Sequence, residues 1–84
     1  MANLEEEVKD ILLGILDVKP EEIVPSAAFI DDLRATSIDI VEILTAMQNK
    51  FDVNITDNDA QKLRTVQDVL DLLKTLIAEK DSKS

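Results

Sequence analysis

The chain has 84 residues, with neither cysteine nor histidine, and a formal net charge of -9 from 18 acids and 9 bases. This length is enough for one small domain. Without cysteine there is no disulfide or thiolate metal site, and without histidine the commonest general base and metal ligand is missing. We therefore predict that the protein is not an enzyme acting alone, with no catalytic residue and no metal site.

The excess of acids predicts which partners the protein meets. Nucleic-acid backbones and anionic membranes bind clustered lysine and arginine, so neither is expected to bind here. Proteins with basic patches are the expected partners, drawn in by electrostatic steering. The alternative is that the acidity only confers solubility. The longest apolar run, ILLGIL at 11–16, is too short to span a bilayer. We expect a soluble, cytoplasmic protein that is a monomer.

The first predicted helix begins after Asn3, which can cap it, with Glu6 three residues later. Gly14 and the segment 17–20 should end this helix. Its apolar residues recur at helical spacing: Leu4, Val8, Ile11, Leu12, Ile15 and Leu16. A long connection follows, KPEEIVPSAAFIDDLRA, in which we expect some local structure and apolar anchors. The anchors are Ile23, Phe29 and Leu33.

The pattern Thr-x-x-Asp occurs three times before an apolar run, beginning at Thr36, Thr56 and Thr65. Each resembles a capping box and so predicts a helix start. The helix after Thr56 should be short, because few apolar positions precede the next cap. The sequence therefore predicts an all-α fold, a small four-helix bundle of three longer helices and one short helix, with a long loop between helices 1 and 2. We expect a helical domain over 1–78 and a flexible polar tail over 79–84.

The helix after Thr36 has aliphatic residues on two sides. At about 100° per residue, one stripe faces the core, and Ile38 and Val41 fall on the opposite side, near Glu42. The stripe consists of Ile40, Ile43, Leu44, Met47 and Phe51. Exposed single aliphatic residues are common, and the long loop could also cover these two. The more specific interpretation is a small contact patch rimmed by carboxylates.

Ser37 stands in the first turn of the same helix. Unpaired backbone N–H groups and the helix dipole favour negative charge there, so a phosphodiester on its hydroxyl would be tolerated. The residues alone fit an ordinary first-turn serine equally well.

The segment DDLRATSIDIVEIL, 31–44, resembles the phosphopantetheine attachment region of acyl carrier proteins, in which a serine opens the second of four helices. The similarity extends from about Leu4 to Leu76 and includes VKPEEIVPSAAFIDDL and KFDVNITDNDAQKLRTVQDVLDLL. It implies that Ser37 carries 4′-phosphopantetheine, donated by coenzyme A through a phosphopantetheinyl transferase. The arm's thiol would hold acyl groups as thioesters for fatty-acid or related lipid biosynthesis.

The resemblance also implies a surface that contacts the transferase and acyl-processing enzymes with basic docking patches. Its residues would be Arg34, Ile38, Asp39, Val41 and Glu42. Acyl chains would slip between the helices, and four core residues could line that space, although the same residues would build an ordinary core. These are Ile43, Leu44, Met47 and Ile55.

The chain departs from the family pattern around the attachment point. Thr36 replaces the usual Asp, Arg34 the usual Gly, and Ile38 the usual Leu. Residues 48–50, Gln-Asn-Lys, replace acids common in housekeeping carriers. These changes favour a specialised carrier, with sequence drift in a main carrier as the alternative. An aminoacyl or polyketide carrier, or a helical interaction module without an arm, would share the same fold.

Overall fold

A computed structural model describes residues 3–82, and this part of the chain is helical. The helices are α1 (Leu4–Ile15), α2 (Ser37–Phe51), α3 (Asp57–Gln61) and α4 (Val66–Ser82). Because α1 packs against both α2 and α4, the helices enclose one core. This confirms the prediction of a small all-α bundle with three longer helices, one short helix and a long first loop.

The C-terminal helix extends beyond residue 78, where the sequence predicts the end of the helical domain. Helix α4 continues through Ser82, whereas a polar tail was expected from residue 79 onward. Residues 83 and 84 lie outside the described residues, so the flexibility of the tail stays a prediction. Among the helices of 3–82, none combines the length and the apolar character needed to cross a membrane.

Short polar side chains begin each helix, as the sequence predicted. The Asn3 Oδ1 accepts from the Glu6 N–H at 2.9 Å. Each of the three Thr-x-x-Asp segments forms both reciprocal bonds of a capping box. At the third, backbone N–H groups of Arg64 and Thr65 donate to the Asp68 carboxylate, and these bonds hold its pKa below the ordinary value of 3.8. The ionised carboxylate is therefore the form that the fold favours.

The long loop between α1 and α2 has structure of its own. A 3-10 turn spans Pro20–Glu22, and the predicted anchors Ile23, Phe29 and Leu33 are all buried. These side chains hold the loop against the bundle because their apolar area is removed from water.

Backbone hydrogen bonds fasten the same loop to the start of α4. Ala28 and Thr65 form an isolated antiparallel bridge. Around it, the Phe29 N–H donates to the Arg64 carbonyl at 2.9 Å, and the Val66 N–H donates to the Ala27 carbonyl at 3.0 Å. These bonds hold the loop in a fixed position beside α4, although the loop and α4 are far apart in the sequence.

The loop then continues directly into α2. The Ala35 N–H donates to the Phe29 carbonyl at 2.8 Å, and Ala35 is buried immediately before the Thr36 cap. The first turn of α2 is therefore held by bonds that lead back to α4.

Candidate functional site

The first turn of α2 is closed by a capping box. The Thr36 Oγ1 accepts from the Asp39 N–H at 3.1 Å, and the Asp39 Oδ2 accepts from the Thr36 N–H at 3.0 Å. Thr36 itself has an extended backbone, so Ser37 is the first helical residue. Thr36 therefore caps the helix as predicted, although most of the family has Asp at this position.

Ser37 is exposed at this position. Its hydroxyl forms no hydrogen bond with any residue of the described part of the chain, so the oxygen is accessible to a reagent in solution. The first backbone N–H groups of a helix have no carbonyl partners within it, and the dipole favours negative charge there. A phosphodiester on Ser37 therefore fits both sterically and electrostatically.

Two large aliphatic side chains beside Ser37 point to solvent. Ile38 is 71% exposed and Val41 is 62% exposed, which confirms the orientation predicted from the helical period. On the opposite face Ile43 and Met47 are buried. The helix therefore presents one apolar face to the core and a smaller apolar patch to solvent.

Sequence reasoning missed two further exposed aliphatic residues. Ile30 is 65% exposed and Val24 is 44% exposed, both in the loop before α2. Ile30 follows the buried Phe29 in an irregular turn, where no helical period distinguishes inward from outward side chains. No sequence signal could therefore have identified them.

The acids around the patch differ in what they already bind. Asp39 is half-buried and occupied by the cap, and the Asp32 carboxylate accepts from the Ala28 N–H at 2.7 Å. Glu42 and Asp31 are exposed and make no hydrogen bond within residues 3–82. These two carboxylates are the ones free to meet a basic partner. In the same residues, no group of three or more acidic side chains is placed to hold a metal ion.

Arg34 has a left-handed backbone, with φ of 56°. This conformation costs an L-residue with a side chain about 1–2 kcal/mol, which explains why glycine suits this place in the turn. The Arg34 side chain is exposed and forms no ion pair within the described residues. It lines an open groove of about 400 Å³ together with Asp39 and the end of α1.

A narrow apolar crevice lies beneath α2. It holds about 10 Å³ of free volume, roughly the space of one water molecule, so the crevice itself has no room for an acyl chain. Of the four residues expected to line an acyl-chain space, Ile43 and Leu44 line this crevice, whereas Met47 and Ile55 do not. The complete lining is Phe29, Ile40, Ile43, Leu44, Leu63 and Val69.

Gln48, one of the three residues that replace acids, has an internal role. Its Oε1 accepts from the Ile55 N–H at 2.9 Å, which fastens the loop after α2. Asn49 and Lys50 are exposed. A carboxylate at position 48 could accept the same bond, so this replacement keeps the local structure while removing a charge.

Comparisons with known proteins agree with this geometry. The family model described as "Phosphopantetheine attachment site" matches residues 6–73, a segment that contains Ser37. The chain is 47% identical over 73 residues to an acyl carrier protein of Buchnera aphidicola subsp. Schizaphis graminum, covering 87% of this chain and 92% of the relative. Identity is 48% over 73 residues with an acyl carrier protein of Thermosynechococcus vestitus, covering 87% and 90%. It is 52% over 67 residues with one of Bdellovibrio bacteriovorus, covering 80% and 86%.

Proposed function

This chain belongs to the acyl carrier protein family, and we propose that it carries acyl groups as thioesters on a 4′-phosphopantetheine arm attached to Ser37. The observation that supports Ser37 is its free, exposed hydroxyl at the first position of α2. The pathway would be fatty-acid or related lipid biosynthesis, in the cytoplasm, with the protein as a monomer.

The attachment chemistry requires little from the carrier itself. A transferase would join the Ser37 oxygen to the pantetheine-side phosphorus of the coenzyme A pyrophosphate, while the pyrophosphate bond breaks and adenosine 3′,5′-bisphosphate leaves. The serine proton would pass to a base on the transferase or to water. When attached, the arm supplies the thiol that this cysteine-free chain lacks, and the carrier contributes the exposed hydroxyl and a site tolerant of negative charge.

Partner enzymes would dock on the face beside Ser37. Ile38 and Val41 offer apolar area to a shallow pocket, and Glu42 offers a free carboxylate to a basic rim. A few contacts at the buried centre of an interface supply most of its affinity, while rim charges act mainly on the rate of encounter. Asp39 would contribute less, because its carboxylate is occupied by the cap.

The departures near Ser37 support a specialised carrier. Relative to the family pattern, Thr36 removes a negative charge and Arg34 adds a positive one. A transferase that uses a basic group opposite an acid at position 36 would lose that contact, so its rate on this carrier should be lower.

The proposed attachment site is tested by loading the apo-protein with coenzyme A and a broad-specificity phosphopantetheinyl transferase. Intact mass should rise by one arm in the parent chain and in Ser26→Ala, a matched control at another exposed serine. Ser37→Ala should gain nothing. An arm on Ser37→Ala would move the site elsewhere, and no gain in the parent chain would overturn the carrier function.

A further inference from the structure

Arg34 is the sole base between residues 20 and 49. The surrounding segment carries several acids, among them Asp31 and Glu42, which are exposed and unpaired within the described residues. The backbone of the first turn of α2 favours a negative charge on Ser37, whereas these carboxylates oppose it. Arg34 is therefore the one side chain of the segment able to offset such a charge.

The backbone of Arg34 suggests that its side chain has a use. An arginine at φ of 56° is held in a conformation that glycine would adopt without strain. Strained residues of this kind persist where the surrounding structure or a function requires them. No hydrogen bond or ion pair within residues 3–82 engages the exposed guanidinium, so it is available to a charged group added to the protein.

Two acids share a groove with Arg34 but do not pair with it. Asp17, two residues after α1, and Asp39 in α2 line the same groove as Arg34, yet neither forms an ion pair with it. Asp39 already accepts from the Thr36 N–H.

We propose that the Arg34 guanidinium pairs with the phosphodiester of an arm attached to Ser37. The inference rests on the proposed function. The two positions are three apart in the sequence, so their Cα atoms are at most about 11 Å apart, and the turned backbone at Arg34 shortens that span. A guanidinium offers paired N–H donors that match phosphate oxygens, and its long stem lets it reach them.

The pairing would fix the root of the arm when no enzyme is bound. The phosphate would lie between the guanidinium and the first turn of α2, and the rest of the arm would stay mobile. A docking enzyme with a basic rim would then compete with Arg34 for the same phosphate oxygens. Arg34 would act as a positioning residue for the arm.

The test uses nitrogen-15-labelled protein before and after loading, with the Nε–Hε signals of the two arginines, Arg34 and Arg64, observed by nuclear magnetic resonance. The Arg34 signal should shift on loading and Arg64, an exposed arginine on the α3–α4 connection, should remain in place. The shift should shrink when salt rises from about 0.02 M to about 1 M, because exposed ion pairs are screened.

Denaturation of the loaded protein gives a second measurement. Loading should raise the urea midpoint more in the parent chain than in Arg34→Gln, with Arg34→Lys between them and Arg64→Gln like the parent. Intact mass confirms that each variant carries the arm. A loaded protein whose Arg34 signal does not move would overturn the pairing and leave the carrier function standing. A parent chain that cannot be loaded would overturn both.

Discussion

The two ends of α2 are built from similar parts and are used differently. Each is flanked by a residue with a left-handed backbone, Arg34 before the helix and Asp52 after it. At the C-terminal end two polar side chains are bonded within the protein: Asp52 lies 3.0 Å from Lys80, and Gln48 accepts from the Ile55 N–H. At the N-terminal end Arg34, Ser37 and the aliphatic pair are exposed.

This difference separates stability from recognition along one helix. Bonds that satisfy polar groups internally hold the chain but leave nothing for a partner, whereas free groups are available for contact at the cost of contributing little to folding. We infer that the C-terminal half of α2 mainly anchors the helix and that its first turns serve binding. Four substitution experiments can break or sharpen this comparison.

The largest effect is expected from truncation of the core face. Met47→Ala should lower the free energy of unfolding by about 2–5 kcal/mol, since Met47 is fully buried and its removal leaves a cavity. Ile38→Ala, at a position 71% exposed, should change it by no more than about 0.5 kcal/mol. Urea denaturation followed by circular dichroism measures both.

The same Ile38→Ala protein tests recognition. Its loading by the transferase should slow roughly 5- to 10-fold in kcat/KM, because we expect Ile38 to be one of the few interface residues whose truncation costs more than about 1 kcal/mol. Loading at the parental rate would show that the exposed pair is not a docking surface. A large loss of stability would show that the first turns of α2 also anchor the fold.

A smaller effect separates the two left-handed positions. Arg34→Gly should stabilise the apo-protein by about 0.5–1 kcal/mol, because relief of the backbone strain exceeds the added flexibility of glycine in the unfolded chain. Asp52→Gly should be near neutral, since aspartate tolerates this conformation better and the substitution also removes the ion pair with Lys80. Equal gains in the free energy of unfolding, measured by urea denaturation, would mean that the backbone strain does not differ between Arg34 and Asp52.

The smallest effect is expected at the ion pair itself. Lys80→Met should cost no more than about 0.5 kcal/mol, because both side chains of the Lys80–Asp52 pair are largely exposed, at 47% and 89%. The difference from the parent should disappear in about 1 M salt. A loss of stability that persists at high salt would indicate that the lysine stem stabilises the C-terminal end of α2 by packing and not by its charge.

Local patterns in the sequence were enough to predict much of this structure. The three capping boxes need only residues three apart, and the outward orientation of Ile38 and Val41 needs only the helical period. The loop anchors Ile23, Phe29 and Leu33 were also predictable, as large apolar residues in a polar stretch. Such features depend on neighbours within one or two turns.

Features that join distant segments were not predictable in the same way. The bridge between Ala28 and Thr65 and the bond from the Ile55 N–H to Gln48 depend on how the elements pack. The left-handed backbone at Arg34 could have been suspected from the glycine usual in the family. At Asp52 the only signal in the sequence is that aspartate is among the residues that adopt this conformation most readily.

The bridge between Ala28 and Thr65 has a consequence for protein engineering. Because the Phe29 carbonyl accepts from the Ala35 N–H, a substitution that distorts the beginning of α4 would shift the backbone that leads into Ser37. Substitutions near Thr65 should therefore be expected to affect the first turn of α2. They would alter how the serine is presented, even though they lie almost thirty positions downstream of it.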